Sequence, residues 1–196
     1  MNWLAHLRLS PPSPSPLLRL GNLCGDFVAG VDLATLHPEL QRGIAQHRAI
    51  DRCVDAHPAV RAMRERVAPP FRRFAPVLLD VFFDHFLARD WEHYGDGASL
   101  AAFVDGVHCD LADHAALLPP ALQAALPRFS RDGWLLAYAS HDGLLRVLAA
   151  MGRRVRRANP LAQGLDVLRA HEAELERTFT VLWSDLLAVR LCGEPT

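Results

Sequence analysis

The chain has 196 residues, of which 51% are hydrophobic and 22% are charged, and its formal net charge is -1. This composition supports a sizeable core and disfavours a protein that works by coating nucleic acid, because such proteins are normally clearly basic. No apolar run reaches the roughly 18–20 residues that a membrane span requires. The four cysteines are far apart and form no C-x-x-C pair, which favours a reducing, cytoplasmic environment over a disulfide scaffold.

Apolar residues recur with helical spacing along nearly the whole chain, and no segment shows a convincing strand alternation. The proline-rich stretch 10–16 is predicted to be a surface loop, and a helix-like segment is predicted over 17–30. Pro38 suits a first helical position, so the next helix is predicted over Pro38–Ala56. A short helix should begin at His57-Pro58 and break at the prolines of 68–70.

The second half is predicted to continue as helices. An aromatic-rich helix should end at Tyr94, and Ser99 is an N-cap candidate for a helix that reaches residue 118. Pro119, Pro120 and Pro127 are predicted to delimit a short segment over 119–127. The remaining predicted helices, of which the last begins with an Asn-Pro cap signature, cover 133–139, 142–155 and 160–191. The sum is a single compact all-α domain over residues 1–196 with about seven to nine helices.

The stretch QHRAIDRCVD, residues 46–55, places His47, Asp51 and Asp55 at successive four-residue steps. The apolar row of this helix runs through Ile44 into His47 and Asp51, so the inward row becomes polar. A buried carboxylate needs a partner, which an arginine or a metal ion could be. An imidazole and a carboxylate at i and i+4 converge on one point and suit a metal with nitrogen and oxygen ligands. The alternative is a helix rotated so that both groups face water.

A second candidate lies in VLLDVFFDHFLARDW, residues 77–91, which is apolar on nearly every side and predicts a buried helix. Asp80 and Asp84 are nonetheless four residues apart within it, and His85 follows directly. Charged residues are rarely buried without a partner, so this helix is a second place for metal ligands. A solvated face is the alternative here too.

A third candidate is GNLCGDFVAG, residues 21–30, where Gly25 permits a close backbone approach beside Asp26. Taken alone, this pattern favours a simple helix cap or a turn aspartate.

Taken together, four motifs resemble those of the acyl carrier protein phosphodiesterases, also called acyl carrier protein hydrolases. They are MNWLAHL, GNLCGDFVAG, HRAIDRCVD and LDVFFDHFLARDW, in this order within residues 1–91. These proteins are divergent relatives of the HD-domain metal phosphohydrolases, so the resemblance implies an all-α, HD-like architecture. The pair that names HD proteins is present in reverse order, as Asp84-His85. The family's polar signature falls on Asn2, His6, Asn22, Asp26, His47, Arg48, Asp51, Asp55, Asp80, Asp84 and His85.

The resemblance implies a divalent-metal-dependent hydrolase, usually with Mn²⁺, that serves fatty acid biosynthesis. It would cut the phosphodiester between a serine of holo acyl carrier protein and its 4'-phosphopantetheine arm, leaving the apo protein. The metal ligands are predicted among Asp26, His47, Asp51, Asp80 and Asp84. The predicted catalytic group consists of Asp26, His47, Arg48, Asp51 and Asp84 together with His6 and His85, either of which could protonate the departing serine. The predicted substrate-binding residues are Arg48, Asn22, Arg72 and Arg73.

The basic segment RRVRRANP, residues 153–160, is predicted to dock this partner, because acyl carrier proteins are strongly negative. The arginines concerned are Arg153, Arg154, Arg156 and Arg157. An ordinary solvated helix end is the alternative.

Two other functions fit the same residues. One keeps the metal and changes the substrate to a nucleotide or another small phosphoester. The other is a metal-free helical binding module whose inward acids pair with arginines such as Arg48, Arg52 or Arg72.

Overall fold

The helical spacing of the sequence corresponds to eleven α-helices and five short 3-10 helices in a computed structural model of the protein. It describes residues 1–10 and 15–192, without the side chains of 128–132 and 189–192. No β-strand occurs in these residues, so the all-α prediction is confirmed, whereas an HD-like arrangement stays a prediction. The predicted loop over 10–16 lies in part outside the described residues, which omit 11–14.

The α-helices, in chain order, are α1 (Trp3–Leu9), α2 (Pro16–Cys24), α3 (Pro38–Ala56), α4 (Pro58–Arg66), α5 (Ala75–Arg89), α6 (Trp91–Tyr94), α7 (Leu100–Asp113), α8 (Pro120–Asp132), α9 (Trp134–Ala137), α10 (His141–Arg154) and α11 (Leu165–Cys192). Non-helical backbone at His171 (φ -129°, ψ 17°) interrupts α11.

Helix starts agree with the sequence signals better than helix ends do. Helix α3 has the predicted bounds, and the Ser99 hydroxyl accepts a hydrogen bond from the Ala102 amide as an N-cap of α7. The predicted helix over 17–30 instead ends at Cys24 and tightens into a 3-10 turn, Gly25–Phe27. The prediction of a short piece over 119–127 is wrong, because α8 runs through Pro127 to Asp132.

The centre of the core consists of α1 and α5. In α5 every residue from Val81 to Ala88 is buried, as its nearly continuous apolar sequence predicts. Helix α1 has only seven residues, too few to be stable alone, and packing against α2, α5 and α11 holds it in place. Among the described residues, no helix combines the length and hydropathy that crossing a membrane would require.

Helices α2 and α3 approach each other closely at a glycine. A Cβ added to Gly43 would lie 2.2 Å from the carbonyl oxygen of Leu18, which is far inside van der Waals contact. The missing side chain therefore lets α3 lie directly against α2, and this contact positions the polar residues that follow on both helices.

Candidate metal centre

Three side chains from two helices meet where the inward row of α3 becomes polar. His47 is buried and Asp51, one turn later, is half-buried. The Nε2 atom of His47 is 3.1 Å from Asp51 Oδ2, and Nε2 of His6, on α1, is 3.2 Å from Asp51 Oδ1. The two imidazole rings are stacked, with centroids 3.9 Å apart. One carboxylate thus faces two imidazole nitrogens across a short gap.

Asn22 orients both imidazoles. Its Oδ1 is 2.9 Å from Nδ1 of His6, and its backbone carbonyl oxygen is 2.8 Å from Nδ1 of His47. Because its Nδ2 donates to Ser10 Oγ and Gln46 Oε1, the amide orientation is fixed and Oδ1 can only accept. Nδ1 of each histidine therefore carries a proton, and the neutral form of each ring presents a lone pair on Nε2.

These lone pairs fit a metal ion. Nε2 of His6 is buried and has no hydrogen-bond partner in the described residues, although Asp51 lies within 3.2 Å. The ligand atoms of His6, His47 and Asp51 all lie within 4.8 Å of one another. Nitrogen and oxygen donors without thiolate suit Mn²⁺ or Fe²⁺, and the Nδ1–H bonds to Asn22 are the outer contacts that usually orient ligating histidines.

The pKa values within the cluster reflect mutual stabilisation. Burial by itself would raise the pKa of Asp51, but interactions with the two histidines outweigh it and hold that pKa well below its usual range. Burial would likewise lower the pKa of His47, yet Asp51 raises it overall. Burial lowers the pKa of His6, which is therefore neutral at pH 7. Without a metal, a proton on Nε2 of His47 therefore hydrogen-bonds to Asp51. A divalent cation bound between these atoms would replace that proton.

Asp26 lies at the edge of this cluster. Its Oδ1 is 3.6 Å from Nε2 of His47, and its Oδ2 accepts a hydrogen bond of 2.8 Å from the Trp3 indole. The preceding Gly25 is required by the His47 ring, since a Cβ there would lie 2.2 Å from the ring. The close approach predicted for this glycine is therefore an approach to the site itself.

The cluster opens into a cleft of about 320 Å³. Four aspartates line it: Asp26, Asp51, Asp55 and Asp80. Asp80 is partly buried and accepts a hydrogen bond of 2.9 Å from the amino group of Met1. The cleft therefore concentrates negative charge beside the two histidines.

Asp84, predicted as a ligand, is not brought to this group. It is fully buried, and its two oxygens accept hydrogen bonds from the amides of Leu4 (2.8 Å) and Ala5 (3.2 Å) in the first turn of α1. Burial raises the pKa of Asp84 to about 7. The carboxyl group thus caps a helix from outside the cleft.

His85 and the predicted substrate-binding residues do not line the cleft either. His85 is buried, and its Nδ1 donates to the carbonyl oxygen of Tyr138 (2.7 Å). Asn22, predicted to bind substrate, is fully buried beside the two histidines and does not line the cleft. Arg48, Arg72 and Arg73 are exposed and do not line the cleft either.

The one arginine among the cleft residues that the structure describes was not identified from the sequence. Arg64, on α4, lines the cleft and donates from Nη2 to Asp55 Oδ1 at 2.7 Å. It lies beyond the helix break at Pro58, so no helical periodicity connects it with Asp51 or Asp55, and the sequence carries no signal for its position.

The predicted docking arginines are exposed close to this cleft. The guanidinium of Arg154 lies 4.8 Å from the ring centroid of Trp134, which stacks on Trp3 at 5.1 Å. Trp3 in turn donates to Asp26. The basic segment 153–157 is therefore linked to the site through two stacked indoles, and Met151 lines the cleft just before it.

The all-α fold thus brings two imidazoles and a carboxylate together at one cleft, a donor set that could hold a divalent metal. The sequence model of the acyl carrier protein phosphodiesterase family matches residues 1–186, and the chain belongs to this family.

Curated relatives named acyl carrier protein phosphodiesterase align with nearly the whole chain. The protein of Yersinia enterocolitica is 34% identical over 188 residues, which cover 96% of each chain. That of Serratia proteamaculans is 35% identical over 187 residues, covering 95% of this chain and 96% of the relative. The Salmonella newport protein is 36% identical over 188 residues, again 96% of each. No solved structure matches the chain.

Proposed function

We propose that the protein is a divalent-metal-dependent phosphodiesterase. It hydrolyses the bond between the serine of holo acyl carrier protein and 4'-phosphopantetheine, and it releases the apo protein. The observation that carries this proposal is the convergence of Nε2 of His6, Nε2 of His47 and the Asp51 carboxylate. Asn22 accepts hydrogen bonds from Nδ1 of both rings, which leaves both Nε2 atoms available to a metal. The family and the names of the relatives support the substrate.

His6, His47 and Asp51 are the residues that would hold the metal, and Asp26 and Asp80 line the cleft beside it. A divalent cation bound there would supply a Lewis acid for the phosphoryl oxygens and would lower the pKa of a coordinated water. Beside Asp51, the carboxylate of Asp26 lies 3.6 Å from Nε2 of His47, and its side chain is half-exposed in the cleft. It is placed to accept a proton from an attacking water.

The substrate is a protein, and the basic segment supports this part of the proposal. Arg153, Arg154, Arg156 and Arg157 are exposed on the rim next to the cleft residue Met151. An acidic carrier that docks on these arginines would present its serine-linked arm to the adjacent cleft. The arginines supply the positive field that the acidic cleft itself lacks.

The geometry does not favour the metal-free alternative. That function requires the inward acids to pair with arginines such as Arg48, Arg52 or Arg72. Asp55 does pair with an arginine, Arg64, but in the described residues no arginine forms an ion pair with Asp26, Asp51, Asp80 or Asp84. The acids instead face imidazoles, an indole, an amino group and backbone amides.

The decisive experiment follows the mass of purified holo acyl carrier protein during incubation with the protein. We expect loss of the 4'-phosphopantetheine mass with added Mn²⁺ and no loss after chelator treatment. Asp51→Asn should abolish the reaction, because the amide cannot replace a carboxylate between two lone-pair nitrogens. Asp105→Asn, an exposed residue on α7, is the matched control and should react normally.

A parallel panel of nucleotides and small phosphodiesters tests the other metal-dependent function. If the protein hydrolyses these compounds but leaves holo acyl carrier protein intact, the proposed substrate is wrong and the proposed metal site stands. Full activity of the Asp51→Asn variant would reject the site itself.

A further inference from the structure

The cleft presents an electrostatic problem for the substrate of the proposed function, on which this inference rests. A phosphodiester is an anion, yet four aspartates line the cleft. A metal at His6, His47 and Asp51 would offset part of this charge at one end. The Met1 ammonium already pairs with Asp80. A further cation in the cleft would hold a non-bridging phosphate oxygen and offset the charge of Asp55.

Among the described cleft residues, Arg64 is the only arginine. Its side chain is 21% exposed, in contrast to 61% for Arg66 on the same helix. Asp55 engages Nη2 alone. Nε is buried and has no hydrogen-bond partner in the described part of the chain. An unsatisfied buried N–H on a charged group is costly, so the guanidinium of Arg64 keeps hydrogen-bond donors that Asp55 does not use.

We infer that Arg64 is the residue that binds the phosphoryl group of the substrate, and that Asp55 is a positioning residue which holds its guanidinium against the cleft wall. A planar guanidinium can give two parallel hydrogen bonds to phosphate oxygens, which a single ammonium cannot. The pair joins the end of α3 to α4, so the donor lies at a fixed place relative to Asp51, one turn earlier on α3. Arg48, assigned this role from the sequence, is exposed and does not line the cleft.

A purely structural role for the pair is the competing explanation. The ion pair between Arg64 and Asp55 could simply fasten α4 to α3. Measurements of stability and of ligand binding distinguish the two roles. If the ion pair is only structural, removing either partner should lower the melting temperature by the same amount and leave the affinity for phosphate unchanged.

The test compares wild type with Arg64→Ala, Arg64→Gln, Asp55→Ala and Arg66→Ala. The first readout is calorimetric binding of inorganic phosphate to the Mn²⁺-saturated protein, after a Mn²⁺ titration has shown that each variant holds the metal equally. The second is kcat and KM for release of the arm from holo acyl carrier protein. Arg64→Gln removes the charge but keeps a long polar side chain, and it replaces Arg64→Ala in the comparison if the alanine variant does not fold.

We expect both Arg64 variants to bind phosphate about 10–100-fold more weakly, with a similar loss in kcat/KM, because a charge-assisted hydrogen bond is removed. Asp55→Ala should show a smaller loss, and Arg66→Ala none. Wild-type phosphate affinity in a folded Arg64→Gln or Arg64→Ala variant would overturn the inference. If the wild-type protein binds phosphate through Arg64 but does not release the arm from holo acyl carrier protein, the proposed substrate is wrong. The role of Arg64 in binding a phosphoryl group would stand.

Discussion

Asn22 shows how one uncharged residue can set the chemistry of a site that it does not enter. It is fully buried, yet its side-chain oxygen and its backbone oxygen each accept a hydrogen bond from an imidazole Nδ1. Both Nε2 atoms are thereby directed at the same carboxylate in lone-pair form. Metal affinity should therefore depend on this asparagine, although it is not a ligand.

Replacing Asn22 with alanine should weaken Mn²⁺ binding about 10–100-fold, the usual effect of losing an outer contact to a ligating histidine. Isothermal titration calorimetry measures it directly. Asn159→Ala, which removes a remote asparagine that accepts from the Leu161 amide, is the control and should bind Mn²⁺ like wild type. Unchanged affinity in a folded Asn22→Ala protein would show that the histidines do not need this orientation.

The same residues predict how binding depends on pH. A proton on Nε2 competes with the metal, and Asp51 raises the pKa of His47 above its ordinary value of 6.5. Mn²⁺ affinity should therefore begin to fall above pH 6.5 as the solution is acidified, and His6, whose pKa is lowered, should add to the loss only at lower pH. Titrations across this range check it; affinity that is constant down to about pH 5 would contradict neutral imidazole ligands.

At the scale of secondary-structure elements, α1 depends on α5. A seven-residue helix cannot satisfy its own first amides, and the Asp84 carboxylate supplies acceptors for those of Leu4 and Ala5 from another helix. Since α1 carries His6, this buried cap holds one wall of the site in position. The burial of Asp84 on α5 is explained by its hydrogen bonds to the start of α1, and no metal is needed to account for it.

Asp84→Ala should lower the free energy of unfolding by about 2–4 kcal/mol, because two buried amides lose their acceptor. Urea denaturation followed by circular dichroism gives the value. Exposed Asp105→Ala on α7 is the control and should change stability little. If Asp84→Ala kept wild-type stability but lost Mn²⁺ binding, the carboxylate would be a ligand after all, as the sequence-based prediction had it.

At the scale of the whole molecule, a net charge of -1 conceals a strong separation of charge. Aspartates concentrate in the cleft, whereas the exposed arginines of 153–157 lie on its rim. This separation would attract an acidic protein to the rim and leave the cleft to recognise the arm. The long-range part of that attraction should be sensitive to salt, because the rim charges are exposed.

Charge reversal at Arg153 and Arg156 should raise KM for holo acyl carrier protein about 10-fold at low salt, with little change in kcat. Arg154 is retained because it packs on Trp134. The difference from wild type should shrink as salt is added. Reversal of Arg169 and Arg177, exposed on α11, is the control. An unchanged KM in the first variant would dismiss the rim as the docking surface.

Much of this organisation can be predicted from short stretches of the sequence. Apolar spacing predicts an all-α protein, the proline and serine signals predict the starts of α3 and α7, and the polar end of the inward row predicts that His47 is buried. These features can be predicted because each depends on residues within a few helical turns of one another.

Which inward polar groups meet was decided only by the tertiary structure. His6 joins Asp51 because α1 packs beside α2 and α3, whereas Asp84, of the same residue type as Asp51 and equally inward by its spacing, reaches backbone amides of α1 instead. Arg64 enters the cleft from beyond a helix break. Helical periodicity specifies the face on which a side chain lies, but its partner depends on how distant segments pack, and no local pattern encodes that.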